Sequence, residues 1–231
     1  MAANVAVVLI TIPRRAATAR TVLRALAPQA DRVHLILNGF KSIPAWSRAP
    51  KVIPLLLPTP GGPGARFRAP LPDVPLVLYA DDDFVYPSDY VARTRAALER
   101  LGVGNAVSYH GAYWTGARSR YADRVVLPYS AAIQHAQRIT LLGTGLSAFH
   151  ASDLRAIERS VPPAFDYEDD IWMSAACARA GIRMFRAASP GGWIRATLAA
   201  YSGLCARPDV LLRRDRAIAR ALKLGGWRLA R

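Results

Sequence analysis

The sequence predicts an α/β fold, a single domain with a mostly parallel central sheet flanked by helices. Three observations carry this. Residues 5–10 and 76–79 are apolar runs and 33–37 is one interrupted only by His34, as expected of strands buried on both faces. Segments with helical spacing of apolar residues alternate with those runs. The chain has 231 residues, 52% hydrophobic and 20% charged, enough for one sizeable core.

Taken in order, Val5–Ile10 is a first strand, followed by Thr11-Ile12-Pro13-Arg14-Arg15. Thr18–Leu26 has helical spacing of Val22, Leu23 and Leu26, and Val33–Leu37 is a second strand closed by Asn38-Gly39, completing a strand-helix-strand unit. Lys51–Leu57 is a short strand, and the Pro/Gly-rich Thr59–Phe67 is a loop. Leu76–Tyr79 is a strand that ends in Asp81-Asp82-Asp83, and Pro87-Ser88 turns the chain into a helix over 89–100, which stops at Gly102. Asn105–Tyr109 and Arg124–Leu127 are strands, and the glycines of Leu142-Gly143-Thr144-Gly145 mark a tight bend beside a ligand or a bulge. Ser152 and Asp153 cap a helix over Leu154–Arg159, a further helix runs from Ile171 to Gly181, and Ile182–Arg186 is a last strand. From Pro208 a basic amphipathic helix sets Leu211, Leu212, Ile218, Leu222 and Leu224 on one face and Arg213, Arg214, Arg216, Arg220 and Lys223 on the other. The expected division is residues 1–206 as the domain and 207–231 as a tail that docks on it or lies on an anionic membrane surface.

The formal net charge is +15, which favours polyanions, although Arg, Ala, Gly and Pro are heavily used throughout and only Lys41, Lys51 and Lys223 are lysines. Cys177 and Cys205 lie in apolar settings without metal-ligand spacing, as free thiols in a reducing compartment do. The amino terminus lacks a basic stretch before its apolar run and reads as a strand rather than a signal peptide. No apolar stretch reaches the roughly 18 residues of a membrane span.

Two acidic clusters carry the chemistry. Asp81, Asp82 and Asp83 follow a strand where ligands of open α/β sheets bind, with Thr11, Arg14 and Asn38 at neighbouring strand ends. Three adjacent carboxylates repel one another unless a cation or donors answer them, and hard divalent ions bridge carboxylates to phosphates. A solvated Asp-rich turn is the alternative. The second cluster, Glu168-Asp169-Asp170, opens a helix, where acids are also favoured by the macrodipole alone.

Together, VVLITIPRR, LILNGF, YADDDFVYPSDYV, LLGTGLSAFH and YEDDIWMSAA resemble small bacterial family 2-like glycosyltransferases of the GT-A, Rossmann-like fold. The resemblance covers most of residues 5–186. It implies that Asp83 and Asp81 hold Mn²⁺ or Mg²⁺, and that Thr11, Pro13, Arg14, Asn38 and Arg66 line the nucleotide end, with Asp82 beside them in the turn. It implies Asp169, then Asp170, as the base, with Glu168 as an orienting partner. Arg66 stands in GGPGARF, where the family has a GDxGKF-like loop, so the acid is missing and Arg replaces Lys. His110, Trp114 and His150 are secondary candidates for acceptor or metal contacts. The implied reaction is metal-dependent, inverting transfer of a sugar from a nucleotide-diphosphate donor, foremost a UDP-sugar, to a hydroxyl of a glycan or lipid-linked acceptor. The implied location is the cytoplasm, at the inner face of the membrane, with no nucleic-acid partner.

Two other readings compete. Asp81–Val85 also fits the DxDx(T/V) pattern of haloacid-dehalogenase-like phosphatases, but that family opens on its motif and places a Lys between it and a later acidic pair, whereas here Lys223 follows both clusters. A non-enzymatic basic protein binding nucleic acid or a membrane surface is supported by net charge and tail, and opposed by two acidic clusters on its binding face.

Overall fold

A computed structural model of the chain describes residues 4–57, 59–116, 119–157, 161–197 and 209–229. The amino-terminal unit is β1 (Val5–Thr11), α1 (Ala16–Leu26), β2 (Arg32–Asn38) and β3 (Val52–Leu57). Continuous burial along β1 explains its apolar sequence up to the terminal Thr11. Next come β4 (Leu76–Asp81), β5 (Phe84–Val85) and α2 (Tyr90–Leu101), which Gly102 ends at φ 74. The middle of the chain forms β6 (Asn105–Ser108), β7 (Gly111–Tyr113), β8 (Val125–Leu127), β9 (Gln137–Ile139) and β10 (Leu141–Leu142). It closes with β11 (Leu146–His150), α3 (Ala151–Ala156), α4 (Asp169–Arg179), β12 (Arg183–Arg186), β13 (Arg195–Ala196) and α5 (Val210–Lys223).

The main sheet is 8-stranded, in the order β3-β2-β1-β4-β11-β6-β12-β9. From β3 to β4 all pairs are parallel, as is β6 with β12, whereas β11 runs antiparallel to both its neighbours and β9 antiparallel to β12. The sheet is therefore mixed, with four parallel pairs and three antiparallel ones. β11 arrives from a bend at Gly143–Gly145 instead of a crossover helix, so its amino end sits at the carboxyl end of β4.

Core residues cover both faces of the sheet. On one, Val5, Val7 and Leu9 pack with Val22, Leu23 and Leu26 of α1 and Val91 and Leu98 of α2. On the other, Val8, Ile10, Phe67, Tyr79 and Trp172 join Ile218 and Trp227 from the carboxyl-terminal segment. Each fully buried large side chain contributes roughly 1.5–3 kcal/mol, so the carboxyl-terminal helix is part of the fold.

Several local expectations change. The loop over 59–67 contains a 3₁₀ stretch, Pro63–Arg68. The third helix begins at Ala151 with no side-chain cap, because Asp153 accepts from the Gly104 amide instead; residues 158–160 lie outside the described residues. β12 is followed by a further short strand, β13. The face of α5 is rotated: Val210, Ala217, Ile218 and Ala221 are buried, whereas Leu211 and Leu212 are 51% and 56% exposed. Leu224 is exposed as well, and Arg213 and Arg214 turn inward to Glu168. A buried carboxylate left without its cations costs more than exposing leucines. Cys177 is a buried free thiol, and Cys205 lies outside the described residues. Among the described residues no helix is long and apolar enough to cross a membrane.

Candidate active site

A cavity of about 370 Å³ opens at the carboxyl ends of β1, β2 and β4. Thr11, Arg14, Asn38, Arg66, Asp81, Asp82, Asp83, Glu168, Asp169 and Asp170 all line it, so the two acidic clusters share one space. Pro13 is exposed and does not line it; it starts the 3₁₀ turn that carries Arg14 and Arg15.

The first cluster divides its work. Asp82, buried, accepts from the Thr11 hydroxyl at 2.6 Å and from Arg15 at 2.8 Å, tying β1 to the turn after β4. Arg15 also reaches Asp83 at 3.0 Å, and it is a site residue that the sequence reading passed over in favour of its neighbour. Asp83 Oδ1 is buried with no hydrogen-bond partner, and burial followed by the Asp81 charge pushes the Asp83 carboxyl up to about 6. Asp81 meets Arg66 at 2.5 Å, its amide donates to the Gly145 carbonyl at 3.1 Å, and its carboxylate lies against Gly145 itself. A Cβ on Gly145 would fall 1.8 Å from Asp81 Oδ2, so only glycine leaves room for this carboxylate.

Arg66 joins the two clusters. Its side chain is 2% exposed, with Nη2 on Asp81 and Nε 3.3 Å from Asp169 Oδ2. Burial works against its charge, but Asp81, Asp169 and Asp170 outweigh burial and hold the guanidinium above its ordinary value. The loop that delivers it is pinned at two adjacent glycines on the amino-terminal side of Arg66. Asn38 donates to the Gly61 carbonyl at 2.8 Å and accepts from the Gly61 amide at 3.1 Å, and the Gly62 amide donates to Asp166 at 2.6 Å.

Asp169 and Asp170 occupy the first turn of α4. Burial raises the Asp169 carboxyl to about 7; Arg66 opposes this, and Asp170 and Asp81 add to it. Thr144 Oγ1 lies 2.8 Å from Asp169 Oδ2 and 2.5 Å from Asp170 Oδ1, and its amide donates to Asp170 at 2.7 Å. One hydroxyl proton serves one of those carboxylates, so the other contact is a hydrogen bond when a carboxyl carries a proton. Thr144 was not singled out from sequence; a polar residue between two glycines was its signal. Glu168, 3% exposed, faces away from this pair toward Arg213 at 2.5 Å and Arg214 at 3.2 Å.

Of the secondary candidates, Trp114 is a core residue whose Nε1 donates to the Arg120 carbonyl, and His150 lies at the far end of β4, opposite Leu76. His110 is close enough to feel Asp170.

Among the described residues no group of three or more His, Cys, Asp or Glu side chains has metal-holding geometry. A hard divalent ion that takes phosphate oxygens needs only one or two carboxylates, completing its shell with water. Asp83, with a buried carboxylate oxygen that no donor meets, and Asp81, whose charge acts on it, fit that donor set.

No family model and no curated protein matches the chain. Among solved structures, the crystal structure of A197 from STIV is similar at a TM-score of 0.45 and 11% identity, over 79% of this chain and 80% of that one.

Proposed function

We propose that this protein is a metal-dependent GT-A glycosyltransferase that moves a sugar from a nucleoside-diphosphate donor, foremost a UDP-sugar, to a hydroxyl of a glycan or lipid-linked acceptor, with inversion. The observation that carries it is the single buried guanidinium of Arg66 between Asp81 and Asp169, which sets a phosphate-side acidic group and a base-side acidic group in one cavity at strand carboxyl ends.

Thr11, Arg14, Arg15 and Asn38 form the donor end, with Asp82 holding Thr11 and Arg15 in place. Asp83 and Asp81 would hold Mn²⁺ or Mg²⁺, which supplies positive charge for the diphosphate. Arg66 adds a fixed cation on the same side, dry and already oriented. The acceptor hydroxyl gives its proton to Asp169, or to Asp170 through the shared Thr144 contact. Its oxygen bonds to the anomeric carbon, and the bond from that carbon to the diphosphate oxygen breaks, so the nucleoside diphosphate leaves with the electron pair. A carboxyl poised near neutrality suits the base. Exposed Leu211 and Leu212, with Arg216, Arg220 and Lys223 on the same helix, suit a peripheral seat on an anionic membrane.

The test is thermal melting of the full chain with UDP, with Mn²⁺, and with both. At about 100 times Kd the pair should add ~2.7 kcal/mol, roughly 5–10 °C for a domain this size. Asp83→Asn should lose the Mn²⁺-dependent part and the turnover of the UDP-sugar while melting no lower than the parent. No shift with UDP and Mn²⁺, or full turnover in Asp83→Asn, overturns the reading.

A further inference from the structure

Asp166 does not line the cavity, yet the loop that carries Arg66 is built around it. Its Oδ2 accepts the Gly62 amide at 2.6 Å, its Oδ1 meets Arg68 Nη2 at 2.8 Å, and its carbonyl accepts the Gly64 amide at 2.9 Å. These bonds fall on both sides of Arg66 in the chain. The glycines follow from this closeness. A Cβ on Gly62 would fall 2.2 Å from the Asp166 carbonyl oxygen, and one on Gly64 3.1 Å from it, so a side chain at residue 62 would push the loop away.

A Gly-rich loop beside a cavity invites a phosphate, but the amides of this one are already spent. The Gly61 amide donates to Asn38 at 3.1 Å, those of Gly62 and Gly64 to Asp166, and that of Ala65 to the Gly62 carbonyl at 3.0 Å, while Pro63 has no N–H. What the loop presents is the Arg66 side chain. Its Nε donates to the Pro63 carbonyl at 3.1 Å, so the loop's own backbone aims the guanidinium that meets Asp81 and Asp169. Wherever Asp166 sets residues 62–64, Arg66 follows. Misplacing a positioned group by about 1 Å can cost on the order of 100-fold in rate.

We propose that Asp166 is a positioning residue: by gripping the backbone of Gly62 and Gly64 and the side chain of Arg68, it holds Arg66 in its bridge between Asp81 and Asp169. The part Arg66 plays in turnover rests on the glycosyltransferase reading. The grip itself does not.

Substitutions in the full chain test this through two readouts. The first is hydrogen exchange of the Arg66 Nε–H by ¹⁵N NMR, its resonance identified by its loss in Arg66→Gln. In the parent this proton should exchange at least about tenfold more slowly than that of the exposed Arg216. Asp166→Ala should erase the protection, and Asp166→Asn, which keeps an oxygen for the Gly62 amide, should retain it. Glu99→Ala, which breaks an exposed ion pair on α2, should leave it unchanged. The second readout is UDP-sugar turnover with Mn²⁺. Asp166→Ala should lower kcat by roughly tenfold or more, with KM for the donor within about threefold, and should lower kcat no further in an Arg66→Gln background. A merely structural Asp166 would cost turnover in both backgrounds. Gly62→Ala, whose Cβ drives the loop off Asp166, should reproduce both effects and serves as the second variant should Asp166→Ala melt early. Unchanged Nε–H exchange in Asp166→Ala and Gly62→Ala overturns the proposal, as does a fall in kcat that persists in the Arg66→Gln background. If the parent turns over no UDP-sugar, the transferase reading falls, and exchange at Arg66 still decides whether Asp166 holds it.

Discussion

Burial of Asp169 beside Asp170 and Asp81, only partly answered by Arg66, raises its carboxyl from 3.8 to about 7. Between those values the folded protein keeps a proton that the unfolded chain has released, so stability falls as pH rises through that window. Asp83, raised to about 6, has the same sign. Chemical denaturation of the protein alone should therefore give a higher midpoint at pH 5 than at pH 7.5, with Asp169→Asn flattening the difference. Turnover should move the opposite way, rising through about pH 7 as the base loses its proton; a flat turnover profile would remove Asp169 from that role. At this scale most of the site was legible, because carboxylates clustered after a strand announce themselves. Arg14 and Arg15 were not separable: one residue of 3₁₀ rotation decides which of them meets Asp82, and adjacent identical side chains carry no mark of it.

α5 shows the strength and the weakness of helical periodicity. Its existence was evident from the sequence, but its orientation was assigned by counting leucines. The buried face is Val210, Ala217, Ile218 and Ala221, whose two alanines let the helix approach α4 closely. Glu168 sits beyond any helix-wheel reasoning, being a carboxylate on a different element that turns Arg213 and Arg214 inward. Glu168→Ala should therefore lower stability by about 1–3 kcal/mol, less than the ~3–5 of a fully buried pair because both arginines reach water. The check is a lower melting temperature together with faster amide exchange over 210–223. An unchanged melt and unchanged exchange would mean that Ile218 and Trp227 alone hold the helix. The same clasp fixes the residue immediately before Asp169, so loosened docking should also reduce turnover.

Over the whole molecule, the parallel half of the sheet could be read from the sequence and the mixed half could not. A short strand buried on both faces is an apolar run whichever way it points, and Leu146–His150 was masked further by the glycines before it. Yet it is the antiparallel entry of β11 that delivers Thr144 to Asp169 and Asp170 and Gly145 to Asp81. Arg66 then spans the cavity, and neither acidic end is thermodynamically separate from the other. Asp81→Asn, Asp169→Asn and the double variant should be non-additive in stability by roughly 0.5–3 kcal/mol, measured by denaturant midpoints, and strict additivity would show that Arg66 serves the two carboxylates independently. In the language of inheritance, these positions are epistatic. A chain drifting at residue 81 changes which substitutions residue 169 tolerates, so the two motifs would be expected to evolve as one locus although 87 intervening residues separate them.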